Sequence, residues 1–179
     1  FINRVEDLNG NVLYEKKENN EQVLNGNYVY ILNELLTSTY NSAFKDYASP
    51  TIYSLASKVS RKYAMKTGST STDYWMIGYN PDILMLVWNG YDDNRESPSE
   101  DSSISKDIWY DTIENCLRDK EDSWYEIPVN VVGVLVDPIS GELANDKTIH
   151  KRMFYYIKGT EPTFTDSNLD VFIPTMKYE

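Results

Sequence analysis

The sequence predicts an α+β fold from three observations. Two segments carry the turn chemistry of β-hairpins, three strand-like runs follow one another closely in the middle of the chain, and two amphipathic helical segments fall outside any regular β-α-β alternation. With 179 residues, 41% apolar and 13% aromatic, the chain has material for one packed domain and little room for two.

At the start of the chain Ile2, Arg4 and Val5 precede Asp7-Leu8-Asn9-Gly10-Asn11, and Val12, Leu13 and Tyr14 resume the strand pattern, which predicts a hairpin closed at Asn-Gly. From Asn27, placed to act as a cap, Val29, Leu32, Leu35, Leu36 and Tyr40 recur at helical spacing and form an apolar stripe that needs a partner. Residues 41–60 show weak periodicity and a break at Pro50, so a loop is expected there, with a short helical turn near 54–58.

Strand-like runs at 61–66, 74–79 and 83–90 come next, the last two joined by the turn signal Asn80-Pro81-Asp82, and should form the body of a sheet. Residues 92–103 are acidic and polar, the mark of a solvated loop. A second helix is expected from Ser105, with Ile108, Trp109, Thr112, Ile113, Cys116 and Leu117 on the face lying across the sheet. Residues 129–136 are apolar and β-branched, and the Asp137-Pro138-Ile139-Ser140-Gly141 turn leads into 142–144, predicting a second hairpin. From Lys147 the chain is aromatic but irregular, broken at Pro162 and Pro174.

Charge and composition exclude several functions. Seventeen Lys and Arg against 28 Asp and Glu leave a net charge of -11, so a phosphate-backbone partner is not expected and no nucleic acid is assigned. One cysteine, Cys116, and one histidine, His150, can build neither an intrachain disulfide framework nor a Cys/His zinc site, and no metal or cofactor is implied. No apolar run approaches the roughly 20 residues that cross a bilayer, which suits a soluble chain. The first residue is Phe1, so a processed or trimmed piece of a longer product is expected.

The most informative residues are Lys66-Thr67-Gly68-Ser69, at the end of a strand-like run and separated from the next strand by Thr70-Ser71-Thr72-Asp73. An ammonium on a strand bordering a cleft favours a carboxylate by charge and promotes proton transfer between nearby hydroxyls, while a glycine leaves the strand edge open to a ligand's backbone. The pattern describes one wall of a peptide site. The ordinary alternative, disfavoured by the flanking residues, is that Lys66 is a solvated strand-end lysine. The K-T-G triplet belongs to the signature set of β-lactamases and penicillin-binding proteins, and its flanks add weight.

Those flanks are Tyr63-Ala64-Met65 before it, Asp73-Tyr74-Trp75-Met76-Ile77-Gly78-Tyr79-Asn80-Pro81-Asp82 after it, and Val87-Trp88-Asn89-Gly90-Tyr91-Asp92-Asp93 beyond. With Val5-Glu6-Asp7, Gly10-Asn11-Val12-Leu13-Tyr14, Val136-Asp137-Pro138 with Ser140-Gly141, and residues 156–162, they resemble the C-terminal part of the transpeptidase domain of class A, bifunctional penicillin-binding proteins. The resemblance covers most of the chain in matching order. It implies one stretch, 1–179, of a penicillin-binding/β-lactamase-like transpeptidase domain: 1–123 as hairpin, helix, K-T-G strand, sheet and C-terminal helix, and 124–179 as a C-terminal extension.

The same resemblance implies a peptidoglycan DD-transpeptidase acting on stem peptides ending in D-Ala-D-Ala and binding β-lactam antibiotics. Lys66 would support the proton relay, the hydroxyls of Thr67 and Ser69 would hold the terminal carboxylate, Gly68 would keep the edge open, and the peptide N–H of Ser69 would be one of two oxyanion donors. The parent would be anchored in the bacterial membrane with this part outside the cell.

One departure is decisive. The family carries S-x-x-K and S-x-N motifs upstream of the lysine strand, and no S-x-N occurs here. Two S-x-x-K strings do occur, at Ser42 to Lys45 and Ser103 to Lys106, but both follow the point where the family places its nucleophile. Each is read as a coincidence, because a serine also needs a base and an oxyanion donor in place. The expectation is a fragment that is inactive alone, partnered by the missing N-terminal part, with exposed apolar patches where that part would pack. The alternative is a non-catalytic wall-peptide or protein-interaction module that keeps the fold. A serine β-lactamase is disfavoured by the extension after the second helix.

Other residues have ordinary readings. His150 is expected at the surface, Cys116 buried in the helix stripe, and Asp92 and Asp93 at a solvated strand end without the spacing of a calcium loop. Trp75, Trp88 and Trp109 are expected in the core, not on a sugar platform.

Overall fold

An antiparallel three-stranded sheet stands at the centre of the chain, in a computed structural model that describes residues 2–17, 21–45 and 48–163. Its strands are β3 (Ala64–Ser69), β4 (Asp73–Tyr79) and β5 (Leu84–Gly90), in that spatial order, after the hairpin β1 (Arg4–Glu6) and β2 (Val12–Glu15) and the helix α1 (Gly26–Thr37). Helix α2 (Ile104–Leu117) comes next, then a second two-stranded sheet, β6 (Val131–Val136) and β7 (Arg152–Ile157). The mixed helix and antiparallel-sheet architecture is the one expected.

The first hairpin forms around Gly10, whose φ of 82° is the left-handed conformation that glycine reaches without a Cβ penalty. Every residue of β1 and β2 is exposed. Helix α1 starts earlier than expected: Asn25, not Asn27, is the cap, and its side chain accepts a hydrogen bond from the Asn27 N–H. The buried line is also different. Tyr30, Asn33 and Thr37 are buried, while Leu32 and Leu35 of the expected stripe are exposed and Tyr40 lies beyond the helix. Within this chain the neighbours of α1 cover its polar-aromatic side, half-cover Leu36 and leave Leu32 and Leu35 open.

The 41–60 segment contains 3-10 turns at Ser42–Phe44 and Tyr53–Leu55, the second close to the expected position, and the acidic segment ends in another at Ser99–Ser103. The lysine strand is shifted: the expected 61–66 run becomes Ala64–Ser69, so the K-T-G triplet lies inside the strand and pairs with β4 at Lys66↔Ile77, Thr67↔Met76 and Gly68↔Trp75. Cross-strand pairing of those residues outweighs the small, polar, glycine-containing composition that made the run look finished at Lys66.

Cross-strand partners share a face, and the two faces of the sheet differ. Met65, Met76 and Val87 point towards α2 and join Ile52, Leu55, Tyr63, Trp109, Ile113 and Leu117 in the hydrophobic core. Helix α2 buries Ser105, Trp109, Ile113 and Leu117, a strict four-residue spacing, so Ile108 is exposed and Cys116, expected in the core, is exposed as well. The opposite face carries Lys66, Gly68, Trp75, Ile77, Leu86 and Trp88. Trp75 and Trp88 are 41% and 42% exposed, which corrects their expected place in the core, whereas Trp109 is fully buried as expected. Leu84 and Leu86 are exposed beside them. Helix α1 covers this face only at the end bearing Ala64 and Tyr79, where the Tyr79 hydroxyl donates to Asn33 Oδ1 at 2.8 Å.

The second hairpin is built differently from the expectation. After the 137–141 turn only an isolated bridge joins Val136 to Leu143, and the true partner of β6 is β7, inside the stretch expected to be irregular. Aromatic residues of β7 add packing to this pairing: Tyr155 meets Tyr30 of α1 edge to face at 5.4 Å, and Phe154 meets Phe44 at 5.6 Å. Pro174 lies outside the described residues.

Candidate active site

β3 is an edge strand: among the described residues only β4 pairs with it. The Thr70 N–H donates to the Asp73 carbonyl at 2.9 Å, closing the β3–β4 turn. In an antiparallel ladder the peptide groups alternate in direction, so those of Gly68, Lys66 and Ala64 bond to β4, and those of Met65, Thr67 and Ser69 point to the open edge. Two contacts agree with this. The Met65 carbonyl faces Thr39 Oγ1 at 3.2 Å, a hydroxyl whose one proton is shared with the Leu36 carbonyl at 2.9 Å, and the Thr67 carbonyl accepts a hydrogen bond from Lys66 Nζ at 2.8 Å.

Lys66 is exposed and borders a groove of about 270 Å³ whose other walls include Thr39, Phe44, Ser49, Pro50 and Thr51. Thr67 Oγ1 donates to Thr51 Oγ1 at 3.2 Å, tying the strand to the groove's far wall. Gly68 and Ser69 are exposed. A β-carbon at Gly68 would come no nearer than 3.5 Å to the Trp75 side chain, so the open strand surface is not forced by crowding from within the sheet. The structure thus brings Lys66, Thr67, Gly68 and Ser69 together on one open edge beside a mainly apolar groove. Thr39, Ser49 and Thr51 were not singled out from the sequence, because tertiary structure alone brings them to the groove and they carry no motif.

The turn after the motif is heavily braced. Thr70 Oγ1 accepts from the N–H groups of Thr72 and Asp73 at 3.1 and 3.0 Å, and donates to Asp73 Oδ2 at 3.0 Å. Thr72 Oγ1 donates to the same oxygen at 2.8 Å, and Trp88 Nε1 donates to Asp73 Oδ1 at 2.7 Å. The Thr72 hydroxyl, then the Trp88 indole, hold the Asp73 carboxyl below the ordinary carboxylate range.

Neither S-x-x-K serine enters the Lys66 groove. Ser42 lines a separate hollow with Tyr40, Ala56 and Lys62, and its Lys45 lies over the Tyr53 ring at 4.5 Å. Ser103 ends the 3-10 turn before α2, its hydroxyl near the Glu100 carbonyl at 3.5 Å. His150 is partly buried, and Asp92 and Asp93 are exposed. Among the described residues no group of three or more His, Cys, Asp and Glu could hold a metal ion, and no helix is long and apolar enough to cross a membrane.

A second polar centre lies between α1 and β7. Glu34 accepts from Lys62 Nζ at 2.6 and 2.7 Å and from Trp124 Nε1 at 2.7 Å, with Lys62 also 4.6 Å from the centre of the Trp124 ring. Burial, followed by the nearby Glu34 carboxylate, raises the Tyr30 phenol far above its ordinary range. The cluster joins α1, the approach to β3 and the segment that leads to β6.

Lys66 thus stands on the open edge strand of a mixed helix and antiparallel-sheet fold, and the chain as a whole is similar to known penicillin-binding proteins. The family model described as "Penicillin-binding protein 1A, C-terminal domain" matches residues 127–170. The chain is 37% identical over 163 residues to penicillin-binding protein 2D of Bacillus subtilis, covering 90% of this chain and 24% of that protein. It is 29% identical over 177 residues to penicillin-binding protein 1A of Aquifex aeolicus, covering 97% and 23%. The crystal structure of penicillin-binding protein 1A from Haemophilus influenzae superposes with a TM-score of 0.74 at 21% identity, over 93% of this chain and 30% of that one. The chain belongs to the C-terminal region of the class A penicillin-binding proteins. It spans about a quarter of the length of these relatives.

Proposed function

We propose that this chain is the lysine-strand part of a peptidoglycan DD-transpeptidase domain, in which residues 1–123 contribute to the catalytic body and 124–179 form an extension. The serine that becomes acylated belongs to a part of the protein outside this chain. The observation that carries the reading is the open edge of β3, where Lys66 borders a groove and the peptide groups of Thr67 and Ser69 point outward.

An extended stem peptide ending in D-Ala-D-Ala, or a β-lactam, would lie along that edge and bond to its free peptide groups. The Thr67 and Ser69 hydroxyls would take the terminal carboxylate, with the Lys66 ammonium adding charge. Lys66 would also ease proton transfer to and from the serine, and the Ser69 N–H would stabilise the oxyanion as acyl transfer proceeds. The protein would work on the outer side of a bacterial membrane.

The exposed face around Lys66 supports a covering segment. Trp75, Leu84, Leu86 and Trp88 are all exposed on the side of the sheet from which the Lys66 side chain projects. A segment burying them would bring its own side chains next to the lysine, where a nucleophile is needed.

The test has two arms. The isolated chain, incubated with a fluorescent penicillin, should carry no covalent label; a stable adduct on Ser42 or Ser103 would overturn the reading. In the full-length gene product labelling should occur upstream of this chain, and Lys66→Ala should slow acylation about 100-fold or more. A parent gene without an upstream S-x-x-K would instead mark a non-catalytic wall-peptide module.

A further inference from the structure

We propose that Asp73 is a positioning residue for the acylation site: its carboxylate locks the turn after the K-T-G strand and so fixes the aim of the Ser69 peptide N–H. The inference rests on the reading of the site in the preceding subsection and assigns a role to a residue outside the motif.

Ser69 is the last residue of β3: its N–H shares a peptide unit with the Gly68 carbonyl, which faces β4, and among the described residues no hydroxyl on the open side steadies it as Thr39 steadies Met65. Beyond that ladder bond, its direction depends on the adjoining turn of residues 70–73. Without the Asp73 carboxylate the turn would keep its backbone bond, the Thr70 hydroxyl's bonds to the Thr72 and Asp73 N–H groups and the Ser97 contacts, but would lose its tie to Trp88 of β5 and gain freedom to shift the Ser69 N–H. An oxyanion donor that must reorient during the reaction loses much of its value, since the benefit comes from dipoles fixed in advance.

Asp73 suppresses that motion from three sides. Its two oxygens collect the hydroxyls of Thr70 and Thr72 and the indole N–H of Trp88, so the turn is tied to itself and to β5. Ser97 clamps the outer side, its N–H donating to the Ser71 carbonyl at 2.9 Å and its hydroxyl to the Thr72 carbonyl at 2.6 Å. The site is also built to admit this arrangement: a β-carbon on Gly90 would fall 2.7 Å from Trp88 Cζ2 and 2.9 Å from Asp73 Oδ1, so a side chain there would break the Trp88–Asp73 contact.

A carboxylate is needed, not just a polar residue. Three donors converge on two acceptor oxygens, and an amide would offer one oxygen and turn its NH₂ donors towards at least one existing donor.

The experiment uses the full-length protein and a chromogenic β-lactam, separating pre-acylation affinity from the acylation rate constant. Asp73→Asn should lower the rate constant about tenfold, a fraction of the loss of a complete oxyanion donor, with affinity changed less than about twofold. Trp88→Phe and Thr72→Val each remove one donor and keep the fold. Each should lower the rate constant about threefold, the scale of one modest hydrogen bond, and should add nothing further in the Asp73→Asn background.

Wild-type acylation by all three variants, or a parallel fall in affinity, rate and unfolding temperature, would overturn the proposal. Lys66→Ala is the control. If it abolishes acylation while the three variants do not slow it, the positioning role fails and the site assignment stands; if it acylates normally, the site assignment itself fails and the positioning role with it.

Discussion

The indole of Trp109 occupies the space that a side chain on Gly78 would need: a β-carbon built there falls 2.3 Å from Cζ2 and 2.7 Å from Cε2. Trp109 is fully buried, meets Tyr63 edge to face at 5.2 Å, and donates from Nε1 to the Met85 carbonyl at 3.2 Å. The ring has no free direction in which to retreat. Gly78→Ala should therefore destabilise the protein by about 3 kcal/mol, the upper range for overpacking a core, measured by urea unfolding.

Gly68 offers the contrast within the same sheet. Its β-carbon would make only ordinary contact with Trp75, so Gly68→Ala should change stability by less than about 1 kcal/mol. If a ligand backbone docks against this edge, the same substitution should nonetheless weaken labelling by a fluorescent penicillin in the full-length protein. Unfolding and labelling measured on one preparation separate the two effects.

Glu34 is a largely buried carboxylate with a side-chain exposure of 9%, while its partner Lys62 is 36% exposed. Removing the acid strands the Lys62 ammonium and the Trp124 indole N–H together. Glu34→Ala should cost about 2–3 kcal/mol, less than for a fully buried pair because Lys62 can still reach water. Loss of amide protection in β7 and around Trp124, measured by hydrogen exchange, should accompany it.

Tyr63 gives the pH dependence a definite sign. Burial first, then its hydrogen bond to Glu114 Oε1 at 3.0 Å, raises this phenol well above its ordinary value of 10.0. The folded state thus favours the neutral phenol. Its contribution is complete below pH 10.0, begins to fall as the unfolded chain ionises, and is lost as pH rises through the raised folded value. Stability measured against pH should decline above about pH 10, and Tyr63→Phe should flatten that decline.

Much of the site was legible in the sequence because its chemistry sits in one contiguous run. Lys66 to Ser69 could be picked out before the strand was placed, and the three-strand sheet could be read from short runs joined by tight turns. Asp73 is next to the motif but was invisible as a brace, since its partner Trp88 lies 15 residues away and meets it only after β4 and β5 pair. The groove behind Lys66 was invisible for the same reason: tertiary structure alone brings Thr39 and Thr51 to it.

Sequence alone determined the α+β class, the Asn-Gly hairpin, the consecutive pairing of β3, β4 and β5 and the motif at the sheet edge, because each depends on neighbours in the chain or on turn chemistry. Tertiary structure decided that α1 buries Tyr30, Asn33 and Thr37 and not its leucines, that Cys116, Trp75 and Trp88 are exposed, and that β6 pairs with β7. Periodicity states which side chains can share a face; which face loses water depends on the surface that packs against it. The β6–β7 pairing joins residues across an intervening turn and bridge, and it is favoured by the aromatic contacts of β7 with α1 and Phe44, which no local pattern encodes.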